Sequence, residues 1–266
     1  MFRYRLILCA AILVAASVCG AEPAPGSTQY GVPRLEFLVD EARAFLLLPT
    51  QPAADGTKPW VWYAPTFIGQ HPDPSHEWMA RQLLDAGFAL GGIEVGESYG
   101  SPAGRALYSR YYEHVVRTYG LDAKACLLPQ SRGGLMLLNW AAENAERVQC
   151  IAGIYAVCNL ESYPGVEKAC GAYGLDAAGL GAALAQHNPI ARVEALAKAR
   201  VPALFIHGDA DTVVPVEKNA GEWMKRYVAA GGPGALIVVP GKGHEVCPEF
   251  FQSEALVRFL LQRGAR

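Results

Sequence analysis

Short apolar runs alternate with amphipathic, glycine-terminated segments along most of the chain, and this rhythm restricts the fold more than any other feature. The strand-like runs PWVWYA (59–64), ACLLP (125–129) and ALFIHGD (203–209) are each followed by residues with helical periodicity. Helices that separate buried strands predict an α/β fold with a mostly parallel sheet covered on both faces. With 266 residues, 52% of them hydrophobic, the chain can bury one large core. We therefore predict a single domain over residues 31–266.

Two segments depart from this rhythm. RLEFLV (34–39) and ARAFLLLP (42–49) are strand-like runs joined by two acidic residues, which predicts an antiparallel hairpin ahead of the parallel part of the sheet. Further along, residues 158–200 follow the strand-like run CIAGIYAV and interrupt the alternation. We interpret them as an insertion into the domain.

The first residues have the pattern of a secretory signal peptide. Two arginines precede the apolar run Leu6–Val18, and small residues follow it. Because this run is too short to span a bilayer, we expect a cleaved signal peptide over 1–21, a flexible leader over 22–30 and no stable membrane span. The protein would then be secreted or periplasmic. Cys19 leaves lipoprotein anchoring as an alternative, which the valine before it does not favour.

Charge and metal-binding residue types limit the expected partners. The net charge is −2 and the basic residues are scattered, so we do not expect nucleic acid to bind. The segment HPDPSHEW (71–78) contains two histidines and two acidic residues, but its two prolines prevent the helical face on which His-Glu-x-x-His ligands lie. We therefore expect no metal and no other cofactor, and the oligomeric state stays open.

The cysteines divide into buried and bridging candidates. Cys126 and Cys150 lie in apolar, strand-like runs, which is typical of buried thiols. Cys158 and Cys170 flank the first part of the insertion and could form a disulfide in an oxidising compartment.

Three residues with catalytic chemistry each follow a strand-like run. Ser131 comes after ACLLP, Asp211 after ALFIHGD and His244 after ALIVVPG. Because the carboxyl ends of parallel strands meet at one edge of the sheet, we expect these side chains to lie together. A histidine can take the proton of an attacking serine, and an aspartate can orient the imidazole and stabilise its charged form. Taken singly, Ser131 could instead be an ordinary helix-start serine.

The motifs around these residues resemble a known superfamily. They are QSRGG (130–134), HGDADTVVP (207–215) and PGKGHE (240–245), in the order serine, aspartate, histidine. From about Leu35 to Leu261 the chain resembles the α/β-hydrolases, nearest their dienelactone-hydrolase and prolyl-oligopeptidase-like serine hydrolase branches.

This resemblance implies a catalytic triad of Ser131, Asp211 and His244. It also implies an oxyanion hole in which backbone N–H groups stabilise the negative oxygen of the tetrahedral intermediate. One donor would be Arg132, directly after the serine. The other would come from the loop after WVWYA, where we expect Phe67 rather than Thr66.

The resemblance also implies how substrate would be held. In such folds, an insertion at the position of 158–200 forms a lid that shapes the acyl or alcohol pocket. We expect Tyr99 and Tyr163 to line this pocket, although both could instead brace loops. The Arg132 side chain could bind a substrate carboxylate, but a local salt bridge is the favoured interpretation.

Pro129 departs from the superfamily pattern, which has glycine two residues before the nucleophile. Proline is compact but lacks an N–H group, so it is unusual inside a central strand. At the last residue of a strand the missing donor costs little, and two glycines after Ser131 keep the other side of the turn open. We therefore expect the nucleophile turn to form with a variant entrance.

The sequence thus predicts a secreted serine hydrolase, foremost a carboxylesterase that cleaves a carbohydrate or small-acid ester through an acyl-enzyme intermediate. A prolyl-oligopeptidase-like peptidase or a lactone hydrolase is the alternative, although the short lid and the lack of a propeller-sized second domain weigh against filtering of oligopeptides. An alternative of another class is a non-catalytic binding protein that retains the fold, with Pro129 as a sign of decay. Acyl and alcohol specificity stay open.

Overall fold

A computed structural model describes residues 27–264, and within them nine strands form one sheet in the order β1-β2-β3-β5-β4-β6-β7-β8-β9. The predicted signal peptide lies outside the described residues. The strands are β1 (Thr28–Gln29), β2 (Val32–Val39), β3 (Ala42–Leu47), β4 (Trp60–Ala64), β5 (Ala89–Ile93), β6 (Ala125–Pro129), β7 (Val148–Ile154), β8 (Ala203–Gly208) and β9 (Gly234–Val239). The α-helices are α1 (Glu77–Asp85), α2 (Pro102–Tyr119), α3 (Gly133–Glu143), α4 (Val166–Ala169), α5 (Ala177–Ala182), α6 (Leu184–His187), α7 (Glu194–Lys198), α8 (Ala220–Ala229), α9 (Pro248–Phe251) and α10 (Glu254–Gly264).

The sheet is parallel from β5 to β9, whereas β1, β2 and β3 are antiparallel to their neighbours. Asp40, in the turn between β2 and β3, has a φ of 54°, in the left-handed region that a tight turn requires. The predicted hairpin and the mostly parallel sheet are both confirmed.

Aromatic side chains fill one face of the sheet. Alternate residues of β4 point to opposite faces, so Trp60 and Trp62 pack beneath α2 and α3 while Tyr63 packs on the other face, beside α1 and α10. The Trp62 ring lies 4.7 Å from Trp140 and 5.0 Å from Tyr108 between centroids. Each such ring buries roughly 150–250 Å², so the centre of the sheet is a rigid base for the loops at its edge.

The structure corrects the predicted boundary of the leader and divides the end of the chain into two helices. Thr28 and Gln29 pair with β2, and Tyr30 is buried with its hydroxyl donating to the Asp73 carbonyl at 2.5 Å; the expected leader over 22–30 is therefore wrong for its last residues. The last helical residues form two helices, α9 and α10, rather than one. Ser253 starts a new helix there, because its Oγ accepts from the Leu256 N–H at 3.4 Å.

The insertion over 158–200 contains α4 to α7 and lies against the loop after β5 and against α3. Tyr173 Oη donates to the Tyr99 carbonyl at 2.7 Å, and Asn139 Nδ2 donates to the His187 carbonyl at 2.8 Å. These contacts hold the insertion beside the carboxyl ends of the strands. None of the helices among the described residues is both long and apolar enough to span a bilayer.

The cysteine predictions have a mixed outcome. Cys126 and Cys150 are buried, as predicted. The bridge between Cys158 and Cys170 is not formed. The Cys158 thiol is fully buried and points to the Ala156 carbonyl at 3.4 Å, whereas the Cys170 thiol points to the Glu167 carbonyl. Burial raises the pKa of the Cys158 thiol well above its usual value.

Candidate active site

Ser131 lies on a sharp turn between β6 and α3. Its φ is 48°, a left-handed conformation that residues other than glycine rarely adopt. Two backbone hydrogen bonds hold this turn: Ser131 N donates to the Ile154 carbonyl at 3.0 Å, and Val157 N donates to the Ser131 carbonyl at 2.8 Å. Such strand-turn-helix geometry exposes the hydroxyl of the central serine at the edge of the sheet.

The residues around Ser131 show why this turn tolerates Pro129. Pro129 is the last residue of β6 and is level with Ala64 on β4. The next N–H, that of Gln130, donates to the Ala64 carbonyl at 2.8 Å, so the contact with β4 continues past the proline. A Cβ on Gly133 would lie 2.0 Å from the Ala64 carbonyl oxygen, and one on Gly134 would lie 2.3 Å from that of Val157. The expected variant entrance is confirmed, with both glycines in obligatory close contacts.

We expect Gly133→Ala to lower the free energy of unfolding by about 1–3 kcal/mol or more, because its methyl group would have to displace the backbone at Ala64 and Pro65. Urea unfolding monitored by circular dichroism measures this. Gly181→Ala in α5 is the matched control, since nothing lies within 4 Å of the added Cβ. It should instead raise stability by about 0.5–1 kcal/mol. Equal stability of the Gly133→Ala variant and the unmodified protein would contradict the described turn.

The three predicted catalytic residues lie together in one line of hydrogen bonds. Ser131 Oγ lies 2.8 Å from His244 Nε2, and His244 Nδ1 lies 2.8 Å from Asp211 Oδ2. The Asp211 side chain is fully buried, and its Oδ1 accepts from the N–H groups of Val213 and Val214 at 3.0 and 2.8 Å. Those two bonds fix the carboxylate so that only Oδ2 faces the imidazole.

A second histidine, His207, also contacts this carboxylate and was not assigned a role from the sequence. His207 Nε2 lies 2.7 Å from the Val214 carbonyl oxygen and 3.2 Å from Asp211 Oδ2. Burial lowers the pKa of His207, which favours a neutral ring with one N–H shared between the two oxygens. The only signal in the sequence was its place four residues before Asp211, at the end of a strand.

Two backbone N–H groups, those of Arg132 and Phe67, are expected to bind the oxyanion, and only the first is free to do so within the described residues. The Arg132 N–H has no acceptor in the described part of the chain, as a donor to substrate requires. Phe67 does not meet the expectation, because its N–H already donates to the His71 carbonyl at 3.0 Å and its carbonyl accepts from His71 N in return. Thr66, the residue before Phe67, is buried. Its N–H has no acceptor within residues 27–264.

Oppositely charged side chains and two phenols lie around Arg132, the residue after Ser131. Arg132 Nη1 lies 2.5 Å from Glu97 Oε1, and its guanidinium lies 5.1 Å from the centre of the Phe67 ring; the favoured local salt bridge is confirmed. Tyr99 and Tyr163 belong to one apolar cluster beside α3. Burial raises the pKa of the Tyr99 phenol, the nearby Glu97 carboxylate and Tyr163 phenol raise it further, and Arg132 lowers it.

The segment 71–78 serves local structure. Asp73 Oδ1 accepts from the Ser75 N–H at 2.9 Å, and His76 Nε2 lies 2.8 Å from the side-chain oxygen of Gln130. Within residues 27–264, no group of three histidine, cysteine or acidic side chains has an arrangement that could hold a metal ion. A cavity of about 390 Å³ lined by Lys124, Arg200 and Pro202 lies at the amino ends of the strands, opposite Ser131.

Solved structures share this fold. The dipeptidyl peptidase 4 of Porphyromonas gingivalis superposes with a TM-score of 0.67 at 14% identity, over 87% of this chain and 36% of the peptidase. An S-formylglutathione hydrolase from Agrobacterium tumefaciens superposes with a TM-score of 0.68 at 16% identity, over 90% of this chain and 98% of the hydrolase chain. A truncated form of a carbohydrate esterase from gut microbiota superposes with a TM-score of 0.61 at 17% identity, over 84% of this chain and 91% of the esterase chain. At such identities the likeness shows the fold alone.

Sequence comparison gives the family. No curated protein matches the chain. Residues 114–261, more than half of the chain and including Ser131, Asp211 and His244, match the prolyl oligopeptidase family. The protein therefore belongs to the prolyl oligopeptidase family and is an α/β-hydrolase of the serine hydrolase type.

Proposed function

We propose that the protein is a carboxylic ester hydrolase that uses Ser131, His244 and Asp211 as its catalytic triad. The observation that carries this proposal is the unbroken line from Ser131 Oγ through both nitrogens of His244 to Asp211 Oδ2, with 2.8 Å at each contact. These distances lie within the range that proton transfer between nucleophile and base requires. The left-handed turn at Ser131 supports the same assignment.

The chemistry follows from the contacts. As Ser131 Oγ attacks the ester carbonyl carbon, His244 Nε2 takes the hydroxyl proton, and the bond between the carbonyl carbon and the leaving oxygen then breaks. The leaving alkoxide takes the proton from His244 and departs as an alcohol. A water molecule, deprotonated by His244, then attacks the acyl carbon, and the bond from that carbon to Ser131 Oγ breaks. Oγ takes the proton back from His244, which restores the serine hydroxyl and releases the acid. Asp211 accepts the Nδ1–H of His244 throughout and stabilises the transient imidazolium.

Two backbone N–H groups are proposed as oxyanion donors: Arg132 and Thr66. Both have no acceptor within the described residues. The segment that carries Thr66 lies against the nucleophile turn, since a Cβ on Gly133 would meet both the Ala64 carbonyl oxygen and Pro65 N. Thr66 is proposed in place of Phe67 because the Phe67 N–H already donates to the His71 carbonyl. Losing one such donor typically costs a factor of about 10²–10³ in rate.

The substrate class is proposed as esters of carbohydrates or small acids. Support comes from the residues around Arg132, where the Arg132–Glu97 pair is electrically neutral and the half-buried Tyr163 offers stacking surface. The structures matched over nearly their whole length include a carbohydrate esterase and an S-formylglutathione hydrolase. The signal-like pattern over 1–21 adds export to this proposal.

A matched panel tests the reaction class. Acetyl, feruloyl and methyl-uronate esters are compared with prolyl peptides that share the same chromogenic leaving group where the chemistry allows. We expect kcat/KM for at least one ester to exceed that for every peptide by about a hundredfold or more, an effect of roughly 3 kcal/mol on the transition state. Faster cleavage of the peptides would favour the alternative, a prolyl-oligopeptidase-like peptidase. Absence of turnover with a folded protein would favour a binding protein.

A further inference from the structure

Tyr155 stands out among the buried groups that the proposed chemistry does not use. It directly follows β7, and its φ is 34°, a conformation that is strained for a bulky residue. Its ring is buried, and the centre of the ring lies 4.4 Å from that of the His244 imidazole, with 52° between the planes. Such strain persists only where the surrounding structure holds the residue in place, and strained residues cluster at active sites.

The hydrogen bonds of His244 to Ser131 and Asp211 do not support the faces of its imidazole ring. A side chain packed against one face, here called the wall, is needed to hold the ring in line. The contacts to Ser131 and Asp211 lie at opposite edges of the imidazole, and neither packs against a face of the ring. A tilt of the ring about its Cβ–Cγ bond would turn the lone pair of Nε2 away from Ser131 Oγ and weaken a hydrogen bond that depends on direction. A side chain packed on one face of the imidazole opposes such a tilt. Tyr155 is in that position.

The Tyr155 side chain is itself held in place by Gln130, the residue that precedes Ser131. Its hydroxyl accepts from Gln130 Nε2 at 3.0 Å. The side-chain oxygen of Gln130 accepts in turn from Tyr63 Oη at 2.7 Å and contacts His76 Nε2 at 2.8 Å. Burial raises the pKa of the Tyr155 phenol and lowers that of His76, so this network is uncharged. It ties the wall behind His244 to the turn that carries Ser131.

We propose that Tyr155 is a positioning residue, whose ring holds the His244 imidazole in line between Ser131 and Asp211. This inference rests on the proposed triad. The aromatic ring also lies within the roughly 6 Å at which a π system stabilises a cation, and His244 becomes a cation when it takes the serine proton. The wall therefore favours the transition state both by alignment and by charge.

The test compares Tyr155→Phe, which keeps the ring, with Tyr155→Leu, which removes it. Misplacement of a reacting group can cost a factor of about 10². We therefore expect Tyr155→Leu to lower kcat by about tenfold to a hundredfold with little change in KM, and to slow labelling of Ser131 by a fluorophosphonate in proportion. Tyr155→Phe should restore kcat to within about threefold of the unmodified protein, although it loses the bond to Gln130.

Controls separate positioning from general stability. Phe205→Leu removes an equally buried ring that packs on Trp223, on the other face of the sheet; it should lower Tm while leaving kcat nearly unchanged. Should Tyr155→Leu not fold, Tyr155→Met takes its place as an unbranched filler. The proposal is overturned if the folded Leu or Met variant reacts at the unmodified rate, or if Tyr155→Phe is as slow as they are. Ser131→Ala distinguishes the failures, because activity that survives it would overturn the triad itself.

Discussion

Alanine at position 131 is expected to reduce the proposed ester turnover by about a millionfold, since the members of the proposed triad act as a unit and the remaining two cannot form the acyl-enzyme. The expectation is specific to this serine because its Oγ is the one hydroxyl in contact with His244 Nε2 in the described part of the chain. Purified protein, assayed with the best ester of the panel under single-turnover conditions, measures the loss.

The stability of the Ser131→Ala variant should change little. The Ser131 side chain has one hydrogen bond, to His244, whereas the turn is held by backbone bonds that alanine keeps. Ser253→Ala is the matched control: it removes a helix-start serine far along the chain and should lower Tm without lowering kcat. A Ser131→Ala protein that retains a tenth of the activity would show that another residue is the nucleophile.

Asparagine in place of Asp211 is expected to lower kcat by about ten-thousandfold. The N–H groups of Val213 and Val214 both donate to Oδ1, so the amide oxygen of asparagine must occupy that position. Its NH₂ group then faces His244 Nδ1, where the carboxylate had accepted a proton. His244 must place its single proton on Nε2 instead, and it can no longer accept the proton of Ser131.

Asp209→Asn is the matched control for this substitution. Asp209 lies two residues earlier in the same motif, is exposed, and accepts from the Gly241 N–H at 2.6 Å. Its replacement should change kcat by less than about tenfold, because that bond holds a loop and the amide oxygen can still accept it. If Asp209→Asn were more damaging than Asp211→Asn, the assignment of the triad acid would be wrong.

The sequence was informative where chemistry follows the ends of strands. Ser131, Asp211 and His244 could be placed together because parallel strands bring their carboxyl ends to one edge, and the bounds of β6 agree with the predicted run ACLLP. The tolerance of Pro129 was also predictable, since it depends on its place at the end of a strand and on two nearby glycines.

What the sequence did not reveal depends on contacts between distant positions. The Phe67 N–H is occupied because a tight turn brings the His71 carbonyl back to it, which no periodicity signals. Gln130 contacts His76, 54 positions away, and the ring of Tyr155 packs on His244. Buried polar partners of this kind are selected by tertiary packing, and a single sequence carries no pattern for them.

Covalent labelling tests the central claim most directly. The intact protein is treated with a fluorophosphonate, digested, and analysed by mass spectrometry to locate the adduct. The account predicts one adduct per chain, on the peptide that contains Ser131, with labelling abolished in Ser131→Ala and strongly slowed in His244→Ala. An adduct on any other residue, or a folded protein that takes up no label at all, would contradict it.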